Sequence, residues 1–220
     1  MSMPQTPPPD PWPFLSRLFS MIVLAFPLAA CGPSLLERPA QPTTHSYLLE
    51  WQAGEPAPAA DPAGPVLLVG PVLAAPGIDG ADMAYRRRPH EIEYFAYHRW
   101  ADAPARMLDP LLLRAAAHSG LFRSVVEPGA AVRADLRLES RLLQLLQLSR
   151  TDPGELQLAL RVNLIDVASG RVLTGRTLRV TEPMTERGPY AGVEAANRAV
   201  AVLLSELQVF LADALDGANR

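Results

Sequence analysis

The 220-residue sequence predicts an α/β fold: a single domain with a mixed sheet, a long antiparallel meander and two main packing helices. Three observations carry that prediction. Between Val132 and Val180, apolar and polar residues alternate over strand-length runs separated by turn residues. Between Val193 and Leu211, apolar residues recur every three or four positions, the period of an amphipathic helix. Between Trp100 and Ser119, Pro104 opens a second helix-periodic segment. Strands with helices between and after them make a two-layer or three-layer α/β domain.

Thr44 to Trp51 reads as a first strand, and Gln52 to Gly64, rich in Ala, Pro and Gly, as a loop. Pro65 to Leu73 is a continuous apolar run, the pattern of a strand buried on both faces. After the turn-rich Pro76–Gly80, Asp82 to Arg87 and Glu91 to Tyr97 form two short strands around Arg88-Pro89-His90, a candidate hairpin. The first helix has Asp102 or Ala103 as its cap and places Met107, Leu108, Leu111, Leu112 and Ala115 on one face. Pro110 either kinks it or, with Asp109, starts a second short helix. Ser119-Gly120 ends it, and Phe122 to Val126 is a short strand.

The meander is the clearest pattern. Val132, Ala134, Leu136, Leu138 and Leu142 face one way, while Arg133, Asp135, Arg137, Glu139 and Arg141 face the other. The alternation breaks across Leu142 to Leu148, which predicts a bulge or a helical turn. Leu156, Leu158, Leu160, Val162 and Leu164 restore it, and Asp166 to Arg171 turns the chain into a third strand, Val172 to Thr181.

The first 43 residues lie outside this pattern. Leu18 to Ala30 is an apolar run headed by Arg17 and closed by small residues, the shape of a secretory h-region and cleavage site. It is shorter than the about 20 apolar residues of a transmembrane helix, contains Pro27 and stops at Cys31-Gly32-Pro33. A buried core helix rarely sits at the extreme amino terminus before a proline-rich tether. Leu28-Ala29-Ala30-Cys31 resembles the bacterial lipoprotein lipobox, in which the cysteine thiol is acylated before cleavage between Ala30 and Cys31. That resemblance implies a signal peptide over 1–30, a lipidated tether over 31–43 and a domain over 44–216. Membrane lipid is then held through acylated Cys31, each buried methylene contributing about 0.8 kcal/mol. Gly32 stands where the aspartate of inner-membrane retention would be, so the resemblance implies the outer membrane, with the domain facing the periplasm.

Composition narrows the chemistry. The formal net charge is −3, which gives no footprint for nucleic acid. All 20 Lys/Arg positions are arginine, so no P-loop lysine, Schiff-base lysine or Ser-Lys dyad exists. Cys31 is the only cysteine and makes no structural disulfide or cysteine-ligated metal site. With no Gly-x-Ser-x-Gly elbow, His-Glu-x-x-His or Gly-rich phosphate loop, the expectation is a protein that is not an enzyme and uses no cofactor.

Several ordered segments resemble the ABC-type transport auxiliary lipoprotein family, which includes the paraquat-inducible membrane-integrity lipoprotein. They are the lipobox at Cys31, Tyr47-Leu48-Leu49, the strand Pro65–Leu73, Met83-Ala84-Tyr85-Arg86 with Glu91-Ile92-Glu93-Tyr94, Trp100 before the Pro104 helix, Ser119 to Val126, and Ala195 to Ala199. The resemblance implies a non-catalytic partner of an ABC permease and its ATPase and of a mammalian-cell-entry-type substrate-binding protein. The implied cargo is lipid or another hydrophobic molecule, and the resemblance permits a homo-oligomeric ring. A periplasmic assembly or synthase-activating lipoprotein differs from this only in its partner.

The candidate partner-binding residues are Tyr85, Arg86, Arg87, Arg88 and Trp100, since Tyr and Arg are enriched at interfaces. The arginines could grip lipid phosphates, or pair with Glu91 and Glu93 as a solvated face. Trp100 is an interface anchor or core at the helix entrance. A metal site at His90, Glu91, Glu93 and His98 is not expected, because strict alternation turns His90 and His98 away from Glu91, Glu93 and Phe95.

Overall fold

In the computed structural model, which describes residues 42–54, 58–149 and 152–218, the break in alternation after Leu142 lies within the central strand of the sheet. In chain order the elements are β1 (His45–Tyr47), β2 (Val66–Ala74), β3 (Asp82–Arg86), β4 (Glu93–Trp100), α1 (Pro104–His118), β5 (Ser124–Val126), β6 (Leu136–Leu148), β7 (Glu155–Asp166), β8 (Val172–Pro183) and α2 (Pro189–Ala218). The eight strands form one mixed sheet, so the fold is α/β with an antiparallel β6–β7–β8 meander and two packing helices.

β6 is the hub because both of its edges are used. Along one edge β7 runs antiparallel from Leu136↔Asp166 to Leu148↔Glu155, and β8 pairs with β7 beyond. Along the other edge two parallel neighbours share its length. β2 takes the first half, from Leu67↔Leu136 to Ala74↔Leu142, and β3 takes the far end through Tyr85↔Gln147 and Arg86↔Leu148. β5 flanks β2, while β4 and then β1 extend outward from β3.

Both helices cover one face. Leu138, Leu142, Leu158, Leu160, Val162 and Leu164 point into it and are fully or nearly fully buried. There they join Leu108, Leu112 and Ala115 of α1 and Val200, Leu203, Leu204, Leu207 and Phe210 of α2. Each such leucine contributes about 1.5–3 kcal/mol relative to exposure. The helices also meet directly, Gln208 of α2 donating from Nε2 to the Ala115 carbonyl at 3.0 Å. Ser140 and Gln147 are the polar residues buried in this layer; Gln147 packs where Gly192 of α2 leaves no side chain, and any Cβ there would collide with its amide.

Several sequence expectations change. β1 is only three residues long, because the chain after Tyr47 leaves the sheet to be held by the helices. β2 is not buried on both faces: its inner residues Leu67, Val69 and Val72 are core, whereas Leu73 is 53% exposed on the other side. β6 begins at Leu136 rather than Val132, and its alternation breaks at a bulge between Leu142 and Gln144. α1 runs unbroken through Pro110, whose ring lies on the exposed side. Its cap residue is Ala103; Asp102 lies one position earlier, accepting the Ala103 N–H at 2.7 Å and pairing with Arg106. Gly120, with φ of 70°, adopts the left-handed conformation that ends the helix.

Candidate functional site

The β3–β4 hairpin and β1 beside it build a surface of aromatic rings and arginine. Tyr85 and Glu93 are register partners, and Tyr85 Oη donates to Glu93 Oε2 at 2.9 Å. Arg87 donates from Nε to Glu93 Oε1 at 2.8 Å, and its guanidinium lies 5.5 Å from the centre of the Tyr85 ring. These contacts shift both titrating partners. The Arg87 hydrogen bond holds the Glu93 carboxyl below its usual range, and the bond to Glu93, with burial, raises the Tyr85 phenol.

The rings continue along β4 and β1. Phe95 is 4.5 Å from Tyr85 and meets His98 edge-on at 6.2 Å. His98 stacks with His45 at 5.1 Å and with Tyr47 at 5.9 Å, and Tyr47 Oη shares a 2.8 Å hydrogen bond with His98 Nδ1. Tyr190, 59% exposed at the start of α2, lies 6.1 Å from Tyr47. Burial and the neighbouring Tyr190 raise the Tyr47 phenol. This ladder overturns the strict alternation assumed for the hairpin. From Asp82↔Arg99 to Ala84↔Tyr94, two steps on β3 match five on β4. The wide bulge brings Phe95 and His98 together.

The other sequence candidates are dispersed. Arg88 is exposed, with Glu91 Oε2 3.9 Å away. Arg86 pairs in register with Leu148, on the opposite side of β3 from Tyr85, and its Nε is buried without a partner. Trp100 is 3% exposed and belongs to the core, so its indole offers no surface to a partner. Among the described residues no group of three metal-ligating side chains comes together.

Residues that the sequence did not single out complete the surface. Asn197 of α2 accepts the Glu50 N–H at Oδ1 (2.6 Å) and donates from Nδ2 to the Leu48 carbonyl (3.2 Å), standing in for a strand partner while Leu49 enters the core. Arg114 of α1 donates to the Trp51 carbonyl at 2.8 Å and covers the Trp51 ring, which also meets His118 edge-on. Two helices therefore fasten the chain just after β1. The sequence holds no sign that these segments meet; Tyr47-Leu48-Leu49 and Ala195–Ala199 stand out only as separate carriers of the family resemblance. Cys31 and the cleavage pair Ala30 and Cys31 lie outside the described residues.

This is a two-layer α/β domain with a distinctive surface along β3, β4 and β1. It carries a ladder of rings with paired arginines. The model of the ABC-type transport auxiliary lipoprotein component matches residues 47–208, and the chain belongs to that family. No curated protein matches it. Among solved structures it is similar to protein XCC0632 from Xanthomonas campestris, of the DUF330 family, with a TM-score of 0.66 and 22% identity over 81% of this chain and 96% of that one. An uncharacterized protein aligns with a TM-score of 0.60 and 14% identity, over 77% of this chain and 99% of the other. These likenesses establish the fold.

Proposed function

We propose that the protein is an outer-membrane-anchored periplasmic lipoprotein and a non-catalytic accessory subunit of an ABC transport system. Its partners in this reading are the permease and ATPase and a mammalian-cell-entry-type substrate-binding protein, and the cargo is lipid or another hydrophobic molecule. The observation that carries it is the family match across 47–208. In this reading residues 1–30 are the signal peptide, Cys31 holds the lipid, 31–43 form the tether and 44–216 the docking domain. Anchoring confines the domain to a plane and raises its effective concentration for an envelope-spanning partner. The ring ladder from Arg87 to Tyr190 supplies the docking chemistry, and assembly of several copies would present that surface repeatedly.

Photocrosslinkers placed at His45 and Tyr190, both exposed on the ring ladder, are expected in intact envelopes to capture the substrate-binding protein or the permease. Capture of wall-synthesis components alone would overturn the transport role. Cys31→Ser is expected to abolish palmitate incorporation and leave unprocessed or mislocalised precursor; retained label in that variant would overturn the anchor.

A further inference from the structure

The face of the sheet turned away from the helices carries a cleft of about 470 Å³ over β2, β6 and β7, with Pro128 at its rim. That volume falls within the roughly 300–1,000 Å³ of small-molecule sites. The cleft owes its shape to the bulge in β2. Val69 pairs with Leu138 and Val72 with Ser140, so Gly70-Pro71 holds one unmatched residue. Gly70 contributes no side chain, and Leu68, Pro71 and Leu73 form an apolar wall. Asp109 of α1 accepts the Val72 N–H at 2.6 Å just past the bulge, fixing the strand from the helix side.

The charges in the cleft are unevenly matched. Arg137 and Glu139 pair with each other at 2.8 Å. Arg141 and Arg161 are direct register partners on this same face. Like charges placed directly opposite destabilise an antiparallel pair. Arg161 rests on neutral groups, Asn163 Oδ1 at 3.3 Å and Thr177 Oγ1 at 3.5 Å. Gly175 of β8 makes room for it, since a Cβ there would collide with Asn163 Oδ1 and lie 3.2 Å from the Arg161 guanidinium. Among the described residues neither Arg141 nor Arg161 forms a salt bridge. What the pair lacks is an anion, and guanidinium groups match the geometry of phosphate oxygens. An adjoining cleft shares Leu68, Pro128 and Arg137 and extends the apolar track toward Val132 and Val167, 53% and 42% exposed.

We propose that this cleft binds an anionic phospholipid, its phosphate on Arg141 and Arg161 and an acyl chain along Leu68, Leu73 and Val132. The choice of a lipid rests on the transport reading; the unmatched arginine pair and the apolar wall do not depend on it. The test titrates the full-length protein in non-ionic detergent with dihexanoyl phosphatidylglycerol, read by native mass spectrometry. The expected result is one bound lipid, weakened at least tenfold by the double variant R141S/R161S and by Leu73→Glu, and unchanged by Arg106→Ser on the helix side of the sheet. Undiminished binding in the double variant overturns the proposal, as does equal occupancy by inorganic phosphate alone. A Leu73→Glu variant that dissociates an oligomer while R141S/R161S still binds lipid overturns it in favour of a second copy as the occupant. Lipid bound in the cleft without envelope capture of an ABC component retains this site and overturns the transport role. Capture without lipid binding does the reverse.

Discussion

Leu160 and Arg161 are neighbours in sequence and opposites in surroundings. Leu160 is 0% exposed beneath the helices, in register with Leu142 and Leu178; Arg161 lies on the open face, in register with Arg141 and Thr177. One backbone thus serves two purposes. The inner face gains its stability from apolar burial, and the outer face holds a like-charge pair that such burial never required. The largest effect should follow this division. Leu160→Ala is expected to cost about 2–5 kcal/mol through lost burial and the cavity left behind. Arg161→Ser should stay within about 0.5 kcal/mol of the parent, or stabilise it by relieving Arg141. Urea unfolding of the two variants measures this directly, and comparable losses would break the distinction between the faces.

The sequence makes one side of that division plain and leaves the other hidden. Alternation in β6 and β7 names the inward residues because a strand has a period of two and one face is covered. It cannot say which outward residue of one strand stands opposite which of the next. That depends on how β6 pairs with β7, offset by the bulge between Leu142 and Gln144, and this register alone opposes Arg141 to Arg161. The apolar run in β2 misleads for a related reason. Leu68 and Leu73 are as apolar as a doubly buried strand demands, yet they line an open cleft. In β4 the wide bulge defeats alternation and gathers Phe95 and His98 into the ring ladder. Pro110 suggested a break, but a proline ring on the solvent side of α1 leaves the buried stripe intact.

A smaller effect tests where the helix-side layer is held by polar rather than apolar contacts. Asn197 joins Leu48 and Glu50 to α2 through two hydrogen bonds at the exposed rim of the core. Asn197→Ala is expected to cost about 1 kcal/mol, since water takes over part of what the amide supplied. The sharper readout is local. Hydrogen exchange at the Glu50 amide should accelerate while amides in β7 keep their protection, separating a loosened chain entrance from a weakened core. Uniform acceleration would mean that this corner is part of the same cooperative unit as the inner face.

The subtlest expected effect sets a carboxylate beneath the helix layer against one on the open hairpin. Burial raises the Asp109 carboxyl, with the Val72 N–H opposing that shift, whereas Arg87 lowers the Glu93 carboxyl with help from Tyr85. The two signs of linkage are opposite. Asp109 makes its pH-dependent contribution to stability below its unfolded pKa of about 3.9 and loses it as pH rises through the higher folded value. Glu93 makes its contribution above about 4.3 and loses it as pH falls through the lower folded value. Asp109→Asn should therefore gain on the parent between pH 3 and pH 7, and Glu93→Gln should fall behind over the same interval. The Glu93 effect should be the weaker and should flatten in 1 M salt, because its ion pair faces solvent; the Asp109 slope should persist. Thermal midpoints of both variants across that pH range decide the point. Slopes of the same sign would show that burial and pairing do not separate the two sides of the molecule.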